Sequence, residues 1–118
     1  MIEILYRGKT YNGVWATGFP LISDDREIAY IANLFCYNER IKPETLGRYT
    51  GITDKNGKRV FVGDILKDND GKFCLVVEEE TRIVLKKQDK RVTTWKYTHK
   101  KEIVGNIHDN PELLEGAK

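Results

Sequence analysis

The chain has 118 residues, of which 40% are hydrophobic and 32% are charged, and its formal net charge is +2 at pH 7. This length fits one domain, or one domain with a small appendage, and it buries enough surface for a core without disulfides or metal ions. No apolar run approaches the ~18 residues of a membrane span, and the first residues lack the basic and apolar regions of a signal peptide, so we expect a cytoplasmic protein with no membrane partner.

The cysteines and histidines predict no metal site. Cys36 and Cys74 are far apart in apolar, strand-like sequence, so we expect both to be reduced core residues. The two histidines, His99 and His108, are not close to either cysteine in the sequence. A zinc site would need all four side chains to converge from distant strands. We therefore predict neither a metal ion nor another cofactor.

The N-terminal part is predicted to form short strands separated by turns. Residues 2–6 are expected to form the first strand, and Asn12-Gly13 is typical of a tight turn because both residues tolerate positive φ. Residues 14–19 predict a second strand, which Pro20 and the polar residues 23–25 interrupt. Alternation along this strand places three side chains on one face: Trp15, Thr17 and Phe19.

Residues 27–37 are ambiguous between helix and strand. Apolar residues recur there at helical spacing, and Asp24 with Glu27 could form a capping box. The β-branched and aromatic residues of the same segment favour strands, with Asn33 as a turn between them, and we expect strands. Further along, residues 43–47 (PETLG) predict a single helical turn that ends at the glycine.

Two tight turns are the clearest local structures in the sequence. Residues 54–57 (DKNG) combine an aspartate that can accept a backbone hydrogen bond, two residues suited to a type I turn, and a glycine for the left-handed position. Residues 68–71 (DNDG) repeat this pattern. A calcium loop would need glycine at its sixth position and glutamate at its twelfth. Here glycine is the fourth residue, so both segments are interpreted as turns.

The second half is predicted to be a series of short strands. Gly63-Asp64 precedes a strand at residues 65–67, and turn residues separate the strands that follow. About five strands in this spacing suit a small SH3-like barrel, in which each strand pairs with its neighbour in sequence. The further strands are expected at residues 73–77, 83–85, 92–97 and 103–107.

The predicted fold class is therefore mainly β with minor α. Residues 47–118 would form the SH3-like barrel, and residues 1–46 a smaller β-rich subdomain. A short C-terminal helix is expected at residues 110–114, with Asn110 as its cap and Pro111 at its first position.

The charge is unevenly distributed. Residues 82–101 contain eight basic residues and one acidic residue, Asp89. Trp95 and Tyr97 alternate with lysine and threonine, so one face of that strand could present rings for stacking on single-stranded nucleic acid. Alternatively the rings point into the barrel core and the lysines cover the outside, which strand alternation favours. The candidate nucleic-acid-binding residues are Lys86, Lys87, Lys90, Arg91, Trp95, Lys96, Tyr97 and Lys100.

The sequence contains no catalytic constellation. Ser23 is the only serine and lies in a polar turn outside any nucleophile motif. Residues 78–80 (EEE) are contiguous carboxylates, typical of a solvated strand end, and no glycine-rich loop opens a helix as a phosphate site requires. We therefore predict a protein that is not an enzyme and has no small-molecule substrate.

Six blocks of the sequence stand out: YRGK at 6–9, NGVW at 12–15, ETLGRYTG at 44–51, DKNGK at 54–58, GDIL at 63–66 and GNIHDNPELL at 105–114. Together they resemble the YopX family, in the expected order and over nearly the whole chain. One departure is Ile52-Thr53, where that family usually has leucine and a basic residue. The resemblance implies a phage or prophage protein of unassigned activity, located in the bacterial host cytoplasm, with an SH3-like barrel in its second half and a tendency to form homo-oligomers.

Two functional hypotheses follow. The first is a non-enzymatic binding or assembly protein that self-associates, and it rests on the resemblance and on the missing catalytic motifs. The second is a small barrel that binds nucleic acid through residues 82–101.

Overall fold

A computed structural model describes residues 5–32, 38–79, 82–87, 92–93 and 100–115. The chain divides into two compact units, Met1–Tyr49 and Thr50–Lys118. Antiparallel strands form most of both units, which confirms the predicted mainly β class. None of the helices within the described residues has the length or the apolar character needed to cross a membrane.

The first unit contains strands β1 to β4 and the start of β5, which continues into the second unit. Its sheet has the order β4-β3-β2-β1-β5. A single 3-10 helical turn, Pro43–Thr45, precedes β5, as residues 43–47 predicted. The strands are β1 (Tyr6–Lys9), β2 (Trp15–Ile22), β3 (Ala29–Ala32), β4 (Asn38–Ile41) and β5 (Gly47–Thr53).

The predicted Asn12-Gly13 turn is confirmed and joins β1 to β2. Gly13 has a φ of +86°, and its N–H donates to the Thr10 carbonyl at 3.0 Å. The Thr10 hydroxyl also accepts the Val14 N–H at 3.1 Å. The strand β1 extends to Lys9, beyond the predicted end of the first strand at residue 6, and residues 2–4 of that prediction lie outside the described residues.

The expectation that Pro20 interrupts the second strand was wrong. β2 continues to Ile22 and changes partners along its length, because Trp15–Gly18 pair with β1 whereas Phe19–Ile22 pair with β3. Proline has no backbone N–H, so a strand tolerates it at a position where no N–H has to donate to a neighbouring strand. Gly18, at the change of partner, lies so close to the Ala32 carbonyl that there is no room for a Cβ.

The expectation of strands in the ambiguous segment is confirmed for Ala29–Ala32, while residues 33–37 and with them Cys36 lie outside the described residues. The end of β4 lies beside the end of β1. Ile41 forms an isolated antiparallel bridge with Thr10, and the Lys42 N–H donates to the Lys9 carbonyl at 2.8 Å.

The core of the first unit lies on the inner face of this four-stranded meander. Ala29, Ile31 and Ile41 are fully buried, and Tyr6, Ala16 and Leu46 pack against them. Because side chains alternate along a strand, the odd-numbered residues of β1 and β2 lie on the outer face.

In the described part of the second unit, the end of β5 is followed by six further strands. β6 pairs with β5, and the remaining strands form a five-stranded antiparallel sheet of order β10-β9-β8-β7-β11. Each of the five strands predicted after Gly63 has a counterpart here, although residues 94–97 of the fourth lie outside the described residues. The sheet is compatible with an SH3-like barrel, whose closure stays a prediction. The strands are β6 (Arg59–Phe61), β7 (Asp64–Lys67), β8 (Phe73–Glu79), β9 (Arg82–Lys87), β10 (Val92–Thr93) and β11 (Glu102–Asn106).

A second apolar core lies within this unit. It is formed by buried residues of β6 to β9, with Val62, Ile83 and Ile103 packed against them. Cys74 is buried there, which confirms the expectation of a core cysteine at this position. The buried residues are Val60, Leu66, Cys74, Val76 and Leu85.

The C-terminal helix is confirmed as one turn, α1 (Glu112–Glu115). The Asn110 carbonyl accepts the Leu113 N–H at 3.1 Å, at the start of this helix, and the Asn110 Oδ1 atom accepts the Asn106 N–H at 3.3 Å. Asn106 Oδ1 in turn accepts the N–H groups of His108 and Asp109. The side chains of these two asparagines therefore stabilise the turn before the helix. A Cβ at Gly105 would lie 2.6 Å from Asn110 Oδ1, so this turn requires glycine there.

Candidate functional site

The predicted basic and aromatic segment is only partly described. Lys86 is exposed on β9, Lys87 belongs to the same strand, and Lys100 is exposed just before β11. Strand alternation puts Lys86 on the opposite face from the fully buried Leu85. The orientation of the Trp95 and Tyr97 rings stays a prediction. The candidate residues that lie outside the described ranges are Lys90, Arg91, Trp95, Lys96 and Tyr97.

The outer face of the first unit carries a second group of cations and rings. The Arg7 guanidinium lies 4.5 Å from the centroid of the Trp15 ring, which is a cation–π contact. Lys9 is directly opposite Trp15 in the β1–β2 register. On the same face, Tyr30 of β3 is directly opposite Arg40 of β4. Cationic and aromatic side chains therefore alternate across this face.

Tyr11 lies at the edge of this face, in the β1–β2 turn, with 59% of its surface exposed. The Arg40 guanidinium is 5.9 Å and the Lys42 ammonium 6.0 Å from the Tyr11 ring centroid. The bridge between Thr10 and Ile41 accounts for this arrangement, because it sets the turn against the end of β4. Beside the ring is a hollow of ≈ 260 Å³, lined by Thr10, Tyr11, Asn12, Glu39 and Arg40.

The two cations beside Tyr11 form no ion pair with the described carboxylates. Among the described residues, neither Arg40 nor Lys42 has a carboxylate oxygen within 4.0 Å. Glu39 is the only acidic residue in the sequences of β1 to β4. It is opposite Ile31 in the register, but its side chain is exposed and lines the hollow beside Tyr11. The other charged residues of these four strands are all cations.

The β2–β3 hairpin has a different surface character. Phe19 is 57% and Leu21 48% exposed, and Ile22 and Ile28 are also exposed. Phe19 and Leu21 lie two residues apart and therefore on one face of β2. Phe19 and Leu21 are called the hairpin patch below; Ile22 is opposite the buried Ala29 and has the register of the other face.

The loop that closes the hairpin is held by Ser23. Its hydroxyl donates to Asp25 at 2.6 Å and accepts the Ile28 N–H at 3.1 Å. The hydrogen bonds from the Ser23 hydroxyl and from the Glu27 N–H lower the pKa of Asp25 below its ordinary value. The only serine of the chain thus has a structural role in this loop. Arg26 occupies the left-handed region with a φ of 61°.

Within the described ranges, no three histidine, cysteine, aspartate or glutamate side chains come together as a metal site. His99, like Cys36, lies outside those ranges.

The sequence interpretation missed Tyr11, Arg40 and Lys42. It recognised the turn and the alternation of Trp15, Thr17 and Phe19, but these three residues come together only through the pairing of Thr10 with Ile41. A local signal was present in the lysine and arginine that flank Ile41 at alternate positions. Alternation predicts that both lie on the face opposite the buried isoleucine.

Comparison with known proteins gives one family. The family model described as YopX protein matches residues 18–115, which is most of the chain. A search of the curated proteins gave no match.

Proposed function

Since this chain belongs to the YopX family, we propose that it is a non-enzymatic binding or assembly protein that self-associates. It functions in the cytoplasm of a bacterial host, as a protein of phage or prophage origin. The observation that supports self-association best is the hairpin patch. A second copy of the chain is the occupant that its surface fits.

The size of the patch supports this proposal. Its two side chains expose apolar surface on the order of 200 Å² on one face, and exposed apolar side chains that adjoin each other often mark a functional surface. A standard interface buries about 800 Å² on each partner, a little over half of it apolar. The hairpin patch would therefore supply a large share of the apolar part of such an interface.

The charges beside the patch fit a second copy. The loop between Ser23 and Ile28 exposes both signs of charge, on Asp24, Asp25, Arg26 and Glu27. A two-fold interface brings the same surface of two copies together, so Arg26 of one copy can face an acidic residue of the other. Complementary charges of this kind set the register of an interface around its apolar centre.

Light scattering over a range of protein concentrations tests the proposal. We expect a mass that is a multiple of the 13.7 kDa of one chain. The double variant Phe19→Ser and Leu21→Ser should shift the protein to monomer. Val14→Ser is the matched control, because Val14 is an apolar residue of the same unit with 60% exposure outside the patch. A strictly monomeric wild-type protein at high concentration would reject self-association.

A second candidate function is nucleic-acid binding by residues 82–101. The exposure of Lys86 and Lys100 favours it. Binding of this kind should weaken steeply with added salt, since each phosphate contact releases counterions. Replacement of Lys86, Lys87 and Arg91 by alanine should weaken binding, whereas Lys67→Ala, at an exposed lysine of β7, should not. Unchanged affinity in the triple variant would contradict this candidate.

A further inference from the structure

We propose that Tyr11, Arg40 and Lys42 bind one unstacked nucleotide of a single-stranded nucleic acid. The site lies wholly within the first unit and goes beyond the proposed self-association, on which it does not depend. It also differs from the basic segment at residues 82–101.

The position of Tyr11 is the first argument. The Tyr11 ring is exposed, which leaves much of its apolar surface in contact with water. Hydrogen bonds within the turn hold the backbone on both sides of the ring, with Thr10 and Val14 joined at 2.8 Å. A preorganised exposed ring is a platform on which a base can stack, and such stacking is sequence-tolerant because every base has a π-face.

The two cations are the second argument. Arg40 and Lys42 lie on either side of Ile41, about 6 Å from the Tyr11 ring centroid, and they make no ion pair with a described carboxylate. A base stacked on the ring would therefore have its flanking phosphates near two available positive charges. Arginine binds phosphate through two parallel hydrogen bonds, and lysine binds it as a point charge.

The hollow beside the ring identifies the ligand class. Its ≈ 260 Å³ is smaller than the roughly 300–1,000 Å³ of sites for drug-sized molecules, so it suits one base better than a dinucleotide cofactor. Asn12 offers a donor and an acceptor, and Glu39 offers an acceptor, which matches the mixed edge of a base.

The same geometry excludes double-stranded nucleic acid as the ligand. Bases within a duplex are stacked on each other and present no free face to a side-chain ring, whereas single strands can splay a base outward. We therefore expect a preference for single strands over duplexes of the same sequence.

Fluorescence anisotropy with labelled single strands of about ten nucleotides tests the proposal, since known single-strand sites cover about 4–16 nucleotides. The full chain should bind at low salt. Tyr11→Ala should reduce affinity about tenfold through loss of stacking, and Tyr11→Phe should leave it unchanged because the ring is kept. The double variant Arg40→Ala and Lys42→Ala should reduce the slope of log affinity against log salt by about 1.4, since each phosphate contact contributes ~0.7.

The controls separate this site from the other proposals. Lys67→Ala should leave the affinity unchanged, and circular dichroism should be the same for all variants. The alanine variants of Lys86, Lys87 and Arg91 test the basic segment independently, and light scattering tests self-association independently. The proposal is overturned if wild-type protein fails to bind at low salt, if Tyr11→Ala binds like wild type, or if duplexes or mononucleotides bind as well as single strands.

Discussion

The two tight turns of the second unit have the same local geometry. In each, an aspartate Oδ1 atom accepts two backbone N–H groups at 2.9 Å. The closing glycines are also alike, with φ of +82° at Gly57 and +81° at Gly71. Both turns were predicted from the sequence, and both are confirmed.

The turns differ in what lies beside them. Asp54 is only 4% exposed, and its second carboxylate oxygen accepts the N–H of Ile103 at 3.0 Å. The N–H of Lys55 also donates to the Lys101 carbonyl at 3.0 Å. Asp68 is half-buried, and among the described residues its carboxylate contacts only its own turn. One turn therefore connects distant parts of the unit, whereas the other connects only its own two strands.

The largest expected effect is that of Asp54→Ala. It should lower the free energy of unfolding by about 3 kcal/mol, because it leaves three partly buried backbone N–H groups without their charged acceptor. Urea denaturation followed by circular dichroism measures this change. A loss no greater than that of Asp68→Ala would show that the contact with Ile103 contributes nothing.

Acid should remove the contribution of Asp54. Burial of its carboxylate works to raise the pKa, but hydrogen bonds from the N–H groups of Ile103, Lys58 and Asn56, together with the Lys58 charge, lower the pKa of Asp54 below its ordinary value. A lowered folded-state pKa stabilises the protein above the unfolded pKa, and this stabilisation is lost as pH falls through the folded pKa.

The stability difference between wild type and Asp54→Asn should therefore be constant above about pH 5 and shrink below about pH 4. Denaturation of both proteins at several pH values measures it. A difference that persists undiminished well below the folded pKa would contradict the assignment, since asparagine does not titrate.

Alanine at either closing glycine should have a smaller effect, and the same effect in both turns. Each substitution forces a left-handed backbone on a residue with a side chain, at a cost of about 1 kcal/mol. An added Cβ has nothing within 4 Å at Gly57 and only the end of the flexible Lys67 side chain at Gly71. Denaturation of Gly57→Ala and Gly71→Ala should give equal losses, and a clear inequality would show that packing contributes.

Asp68→Ala should have the smallest effect, below about 1 kcal/mol. Its hydrogen bonds are local and reachable by water, so water can replace the carboxylate at the Asp70 and Lys72 N–H groups. The same denaturation measurement applies, with Asp54→Ala as its partner. A loss equal to that of Asp54→Ala would remove the distinction between the two turns.

Much of the local structure could be predicted because it depends on a few neighbouring residues. The turns at Gly13, Gly57 and Gly71 follow from the preferences of asparagine, aspartate and glycine for particular backbone angles. The strand through Pro20 was missed for the converse reason. Whether a proline is tolerated depends on which side of the strand is paired, and that depends on β1 and β3.

The two candidate sites also differ in how far the sequence alone could predict them. The positive charge of residues 82–101 is visible in the sequence, because a count of charges needs no coordinates. The cluster of Tyr11 with Arg40 and Lys42 is not, since its members are about thirty residues apart and no periodicity relates them.

The amino-acid sequence by itself determined the family, the mainly β class and the positions of the tight turns. Only the tertiary structure decided that Asp54 contacts Ile103 and that Thr10 pairs with Ile41, pairs that lie 49 and about thirty residues apart. The physical reason is that backbone preferences act over a few residues. Pairing of distant residues depends on which apolar faces are buried together, here Ile31 with Ile41 in one unit and Leu66 with Leu85 in the other.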